Sequence, residues 1–506
     1  MSAQLDKDFA NFEQCRRNFV RTVAEAASRS ENVERLLKLR VLNILHPLLL
    51  DDVPAIQQST ALALGRLANY DENIAQQIVD DGVLVDIVNG LSSEEDLSYQ
   101  KNACFVLRTV SKHSAELAEK VVENGALGPI VCCLQSYDTR VRESAAVALG
   151  SIASHTPELA HSVVDAQGVP LLITSTQSND LSLKRIAIAA IGDIAKHDAE
   201  LSNFIIEANG IEIIAPLIKD QDPKLRTVAC STLAHIAKHQ VESAERIVNA
   251  GIFPHVLLCL RDKEPEVRKA AATLIREIVK HTQELSQRII TEGGAVALVQ
   301  YLKPDQGNDP IYGVMSIGYI ASFSQSLATV LLQSGAADVC LNVFVQAKSD
   351  QTKAAAAWTL GQLGKHTSDT AAALAKLNVL TLLLNERIRA SASKDLVQKT
   401  DRAMELIVQK CTMIEALQKI IDNAPDNVLE FVLEQISKII PKNPKMRVPF
   451  IQEGGFAAVQ KVKAEPGTKI KEYVDAINAC YPDQAVKYYS PDFKNTILND
   501  IEQFGQ

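Results

Sequence analysis

The sequence predicts an all-α protein built as a solenoid of repeated helical units, and three observations carry that prediction. The segment Ile191-Gly192-Asp193-Ile194-Ala195-Lys196-His197 has counterparts along most of the chain. With Gly192 as a ruler, the equivalent positions are Ala24, Gly65, Arg108, Gly150, Gly192, Ala234, Arg276, Gly318, Gly361 and a weaker Glu405, spaced 41, 43, 42, 42, 42, 42, 42, 43 and 44 residues apart. A period of this size carried by apolar helical segments marks an α-solenoid. Glycines recur in step, at Gly82, Gly125, Gly168, Gly210, Gly251, Gly293 and Gly335. The composition agrees: 47% apolar but only 5% aromatic, which suits closely packed Ala- and Leu-rich helices better than a sheet.

Taken in order, residues 1–40 read as capping helices. Phe19, Val20, Val23, Ala24 and Ala27 share one helix face, and Asn32 to Leu39 form a second, short helix; the terminal units of solenoids are atypical. Residues 41–410 hold about eight repeats of three helices each. A short amphipathic helix such as AELAEKVVENG ends at glycine, an apolar helix such as ALGPIVCCL follows, and a long helix carries the ruler. The closing glycines are expected to take the left-handed conformation that ends a helix. Ser114, Thr156, Asp198, Thr282 and Thr367 stand where a first-helix cap belongs, with Pro157 and Glu158 after Thr156. Asp96, Asp138, Asp180, Asp222 and Glu264 stand twelve residues before the ruler as caps of the long helix, with Pro223 and Pro265 directly after the last two.

A three-helix unit with a helix-ending glycine before an apolar helix resembles the armadillo repeat rather than the two-helix HEAT unit. The expectation is therefore an armadillo-repeat α-solenoid, a right-handed superhelix of three-helix repeats with an irregular C-terminal tail, about 80 Å long at roughly 10 Å per unit. Two places break the period: Pro304 to Pro310, and the polar stretch Asn385 to Thr400, both expected as surface loops. Residues 411–463 are degenerate repeats ending near Gly454 and Gly455. Residues 464–506 change character, with Pro466, Gly467, Pro482, Pro491 and four of the ten tyrosines. They read as one helix, KIKEYVDAINACY, and an irregular tail.

The net charge of −9 argues against general affinity for nucleic acid. No apolar run reaches the length of a membrane span, and the N-terminus has no apolar signal core, so the expectation is a soluble protein made inside the cell. The nine cysteines are scattered without a C-x-x-C pair and read as reduced, mostly buried thiols. No glycine-rich phosphate loop, G-x-S-x-G or H-E-x-x-H occurs; neither catalysis nor a cofactor is expected. His113, His155, His197, His239, His281 and His366 recur one per unit, too far apart to share a metal ion. Their expected work is to satisfy the last carbonyls of the long helix, where a cation suits the dipole.

One row rises above this background. Eight residues before the ruler stand Arg142, Lys184, Arg226, Arg268 and Lys353. On long helices lining a concave side, they would form a basic ladder for an acidic chain. A local account stands beside it: Asp138, Asp180, Asp222 and Glu264 lie four residues before the first four cations, at ion-pairing distance along a helix. Reversing Arg142, Lys184, Arg226 and Arg268 to Glu is expected to leave the fold intact. Trp358, the one tryptophan, and Tyr481, Tyr488 and Tyr489 of the tail are the remaining candidate contact residues, with docking of the tail on the chain's own end as the alternative.

Among armadillo proteins, the import adaptors repeat a Trp with an Asn four residues on. Here only Trp358 fits, and its partner position holds Gln362. Four stretches carry a closer likeness: LLLDDVPAIQQSTALALGRLANYDENIA, LIREIVKHTQELSQ, KAAAAWTLGQLGKHT and the non-repeat tail KAEPGTKIKEYVDAINACYPDQAVKYYSP. They resemble the sperm-associated-antigen type of armadillo protein found in the central apparatus of motile cilia and flagella. The resemblance implies a non-enzymatic axonemal scaffold of the cytoplasm and cytoskeleton. Its implied partners are central-apparatus proteins and tubulin of the central-pair microtubule, with self-association, and neither nucleic acid nor membrane. The alternative is a soluble adaptor binding an extended peptide in its groove, as catenins and import adaptors do.

Overall fold

The computed structural model describes residues 2–91, 96–303, 307–491 and 493, with Ser2 and Ala3 as backbone only. Its elements are helices, with no strand among the described residues. The chain divides into two compact units, Met1–Val256 and Leu257–Gln506.

In the first unit, Ser2–Ala26, Pro54–Ala68, Leu97–Ser111, Thr139–Ala153, Leu181–Ala195 and Pro223–Ala237 pack successively on one another. In the second, Pro265–Val279, Ile311–Phe323, Asp350–Gly364, Lys394–Val408, Asp426–Lys442 and Lys469–Asn478 do the same. The first ten of these helices, through Lys394–Val408, each carry a ruler position, and most of the twelve are 15 residues long. The two shorter helices of a repeat, for example Ala115–Glu123 and Leu127–Cys133, lie on them.

The caps set the register. Ser114, Thr156, Asp198 and Thr282 each accept the backbone N–H three residues on, and Thr367 forms a reciprocal pair with Thr370. Asp96, Asp138, Asp180 and Asp222 cap the long helices; Glu264 makes no such bond, and Pro265 fixes the first turn there instead.

The helix-ending glycines need one correction. The left-handed residue is Gly82, Gly125, Gly251, Gly293 and Gly335 as expected, but in two repeats it is Gln167 and Asn209, and in later and earlier ones Asn378 and Arg40. Read at that position, the spacings from Arg40 onward are 42, 43, 42, 42, 42, 42, 42 and 43. Gly168 and Gly210 instead open the next helix. At Gly210 a Cβ would stand 2.8 Å from the carbonyl oxygen of Ile205, so glycine is kept there for close approach rather than for dihedral freedom.

The ruler glycine works in the same way between repeats. A Cβ on Gly361 would lie 2.9 Å from the Cα of Ala403, and one on Gly192 would lie 2.7 Å from Thr232 Oγ1. The absent side chain lets neighbouring long helices touch through their backbones. Thr232 and Thr359 use that proximity, donating to Ile188 O at 2.9 Å and Val314 O at 3.0 Å of the preceding long helix.

Of the irregular stretches, Pro304 to Pro310 is described from Gly307 onward; 304–306 lie outside the described residues. Asn308 and Asp309 are fastened, with Asn308 Nδ2 donating to Tyr301 O and the Tyr301 hydroxyl to Asp309 O. Asn385 to Thr400 is not a loop. Val379–Arg387 and Lys394–Val408 are helices with only 388–393 between them, because Ser393 caps the second and its polar residues form the outer face of a helix burying Leu396, Thr400, Ala403 and Met404.

The C-terminal tail is also more ordered than expected through 489: Lys469–Asn478 is followed by a second helix, Asp483–Tyr489. Asp492 and 494–506 lie outside the described residues. Six of the nine cysteines are buried; Cys15 and Cys132 are exposed, so the Cys132-Cys133 pair straddles the surface of its helix.

Candidate interaction surface

The corner histidines hold the stack together across repeats. His113, His155, His197 and His366 direct Nε2 to the carbonyls of Ala68, Ser111, Ala153 and Ala321 at 2.6–2.7 Å, and His239 reaches Lys196 O at 3.2 Å. Each acceptor closes the long helix of the preceding repeat, not the histidine's own. A neutral ring N–H serves this bond, and burial holds the His197 imidazolium below its ordinary pKa. The expected cation at the helix end is thus replaced there by a neutral donor. Among the described residues, no group of three or more His, Cys, Asp or Glu converges on a metal-binding point.

The row eight residues before the ruler lies where the second helix of a repeat turns into the long helix. Arg226 Nη1 donates to Asp220 O and Gln221 O; Arg268 Nη1 donates to Asp262 O and Lys263 O, and its Nε to Asn308 Oδ1. Each guanidinium therefore staples the turn preceding its own helix. Lys353 is 8% exposed and pairs with Glu386 at 2.7 Å. Arg142 and Lys184 are half-buried, and the Arg142 Nε is enclosed without a hydrogen-bond partner.

The local account of the row fares no better. Asp138 turns to Arg140 at 2.9 Å, which holds its carboxyl below the usual carboxylate range, and Asp222 turns to Arg185 at 2.8 Å. Neither meets the cation four residues on, because a carboxylate engaged in capping points back along the helix start. Reversing all four cations is therefore expected to loosen the two turns that Arg226 and Arg268 close.

Trp358 is half-buried and stands edge-on to Tyr319, with ring centroids 5.1 Å apart. The pair borders a groove of about 340 Å³ on the long-helix face of the second unit, with Ile311 and Met315 on one wall and Asp395 and Lys399 on another. The tail tyrosines are divided. Tyr481 is buried, stacks 4.3 Å from Phe456 and donates to Arg447 O; Tyr489 also meets Phe456, at 5.7 Å. Burial pushes the Tyr481 phenol up to about 12. These two side chains cover the chain's own last repeat, and Tyr488, 59% exposed, is left outward.

Sequence reasoning missed a stripe on the first unit: Lys101, Phe105, Arg108 and Lys112 share one face of Leu97–Ser111 and its C-cap. Their spacing of four, three and four was legible, but attention to one position per repeat hides a pattern confined to one repeat.

The armadillo/beta-catenin-like repeat model matches residues 114–154 and 198–238, and the HEAT repeat model matches 252–282. Sperm-associated antigen 6 of Homo sapiens is 44% identical over 166 residues, which is 33% of this chain and 32% of that protein; the Mus musculus protein of the same name matches to the same extent. The chain thus spans about a third of the length of the curated relatives it matches. The crystal structure of an engineered protein superposes with a TM-score of 0.70 at 22% identity, covering 87% of this chain and 98% of that one, a likeness of fold alone. With its helices stacked as described and its repeats matched in this way, the chain is an armadillo-repeat α-solenoid, related in sequence over a third of its length to sperm-associated antigen 6.

Proposed function

We propose that the protein is a non-enzymatic scaffold of the axoneme, binding proteins of the central apparatus and its microtubule pair and supporting ciliary or flagellar beating. The observation that carries this reading is the 44% identity to sperm-associated antigen 6. The resemblance of the non-repeat tail from Lys463 adds to it, since repeat grammar does not dictate that stretch. The long-helix faces suit the role physically: a stack whose repeats are joined by backbone-directed bonds offers a surface that binding need not reorganise. The test is the position of the tagged protein in a density map of isolated axonemes. Density on the central pair is the expected result; its absence there defeats the proposal while leaving the fold untouched.

A second reading, a soluble adaptor gripping an extended peptide, is favoured by the groove beside Trp358 and Tyr319. The two separate on extraction. An adaptor leaves demembranated cilia at moderate salt, whereas a scaffold stays with the microtubules.

A further inference from the structure

Of the eighteen prolines, only two follow a hydroxyl residue: Thr156-Pro157 and Ser490-Pro491. A serine or threonine before proline is the least that a proline-directed protein kinase reads, since its cleft accepts a next residue without a backbone N–H. The fold separates the two. Thr156 caps Pro157–Asp165, its hydroxyl accepting from Leu159 N at 3.3 Å, and that helix buries Leu159, Ala160, Val163 and Val164. Drawing Thr156 into an enzyme's cleft would take a repeat apart. Ser490 instead ends Asp483–Tyr489, with φ −59° and ψ 139°. This is the extended backbone that the following proline imposes and that a kinase cleft accepts. Ser490 is half-buried and Pro491 exposed.

The helix before Ser490 is weakly held. It has seven residues, none of them fully buried, and a helix that short does not stand alone in water. Its grip on the last repeat is aromatic: Tyr481, just before it, and Tyr489, at its end, lie against Phe456. Tyr488 meets Tyr489 and Phe493, each with ring centroids 5.0 Å apart, and Phe493 N donates to Ser490 O at 3.1 Å. Such an element opens at small cost. A phosphate on Ser490 would bring about −1.5 to −2 charge to the helix C-terminus, where the dipole is already negative. It would also stand beside the tyrosine rings, whose faces are negative. Lys487, one turn back, is exposed and offers only a solvent-screened pair in compensation.

We infer that Ser490 is a phosphorylation site for a proline-directed kinase, and that its modification releases Asp483–Tyr489 from Phe456. The co-substrate is ATP. Ser490 Oγ forms a bond to the γ-phosphorus as the bond from that phosphorus to the β,γ-bridging oxygen breaks; ADP leaves, and the hydroxyl proton passes to the kinase's carboxylate base. Only an opened tail enters the cleft, so the rate of modification scales with the open fraction. Once added, the phosphate favours the open state that admitted the kinase. The inference is independent of where the protein resides, and purified components test it.

The full chain is incubated with ATP and a purified mitogen-activated protein kinase, and the product is read by fragment mass spectrometry and by hydrogen exchange. The expected result is phosphate at Ser490 and none at Thr156. Ser490→Ala takes up none there, and Pro491→Ala, which keeps the hydroxyl, is modified much more slowly. Tyr489→Ala, which loosens the helix beforehand, is modified faster than the wild type. In the phosphorylated chain the amides of 483–489 exchange about two- to fivefold faster, while those of Gly455–Lys461 are unchanged. Ser490→Glu shifts exchange in the same direction by less. An unmodified Ser490 in the wild type overturns the inference, as does an equal rate in Pro491→Ala. Phosphate at Ser490 with unchanged exchange of 483–489 overturns the release.

Discussion

Replacing Gly318 with Ala tests the central packing argument, because two effects of opposite sign compete at that position. Glycine inside a helix costs about 1 kcal/mol relative to alanine, so Gly318→Ala would stabilise Ile311–Phe323 if nothing stood near. Instead the new Cβ would clash with the Cζ3–Cε3 edge of the Trp358 ring and stand 2.6 Å from Thr359 Oγ1. Relief requires the ring to move or the long helices to part, an overpacking cost of about 1–3 kcal/mol. The Thr359 bond to Val314 O is also at risk, about 1 kcal/mol more. The losses exceed the gain, and the net expectation is destabilisation by about 1–3 kcal/mol. The readout is built in: Trp358 is the one tryptophan, so urea unfolding followed by its emission reports on this contact. Gly128→Ala is the counterpart, since Gly128 lies in Leu127–Cys133 with nothing within 4 Å of a Cβ; it should gain up to about 1 kcal/mol. If Gly318→Ala is as stable as the wild type with unshifted emission, the account of the ruler glycine as a close-contact residue is wrong.

Three further outcomes follow from the same geometry. His197 and His235 are held below their ordinary pKa by burial. The unfolded chain therefore binds protons first as pH falls, and their contribution is full above about pH 6.5 and is lost below it. Denaturation midpoints measured from pH 8 down to 5 should fall less steeply for His197→Asn than for the wild type. Arg268→Leu removes the donor to Asp262 O, Lys263 O and Asn308 Oδ1 and should cost about 2 kcal/mol, with faster hydrogen exchange in the turn before Pro265; an unchanged turn would deny the staple. Cys15 and Cys132 should react with a thiol reagent in the folded protein far faster than Cys104, Cys133, Cys230 and Cys340, as mass spectrometry of labelled peptides would show.

Much of the architecture is written in local chemistry. The caps Ser114, Thr156, Asp198 and Thr282, the prolines Pro223 and Pro265 and the helix-ending glycines act on their own turn of backbone, so one sequence displays both the signal and its effect. The period determined the helical stack because each repeat can bury its apolar face only on its neighbours. Where local chemistry was ambiguous, the reading slipped. Asn385 to Thr400 is as polar as a loop yet ten of its sixteen residues are helical, and Gly168 and Gly210 mark close approach one residue beyond the true left-handed position.

Partnership, by contrast, was decided only by the tertiary structure. The histidines reach the preceding repeat, Arg226 and Arg268 turn inward to backbone carbonyls, Lys353 finds Glu386, and Tyr481 closes over Phe456. Each of these side chains had the composition of a contact residue in the sequence. Which contacts remain free for another molecule depends on long-range proximity: a cation some 40 residues from its acceptor in the chain can be a hydrogen bond away in space. Sequence determined which residues are helical and how the helices repeat, since those are short-range energies; folding decided which charges are spent and which remain.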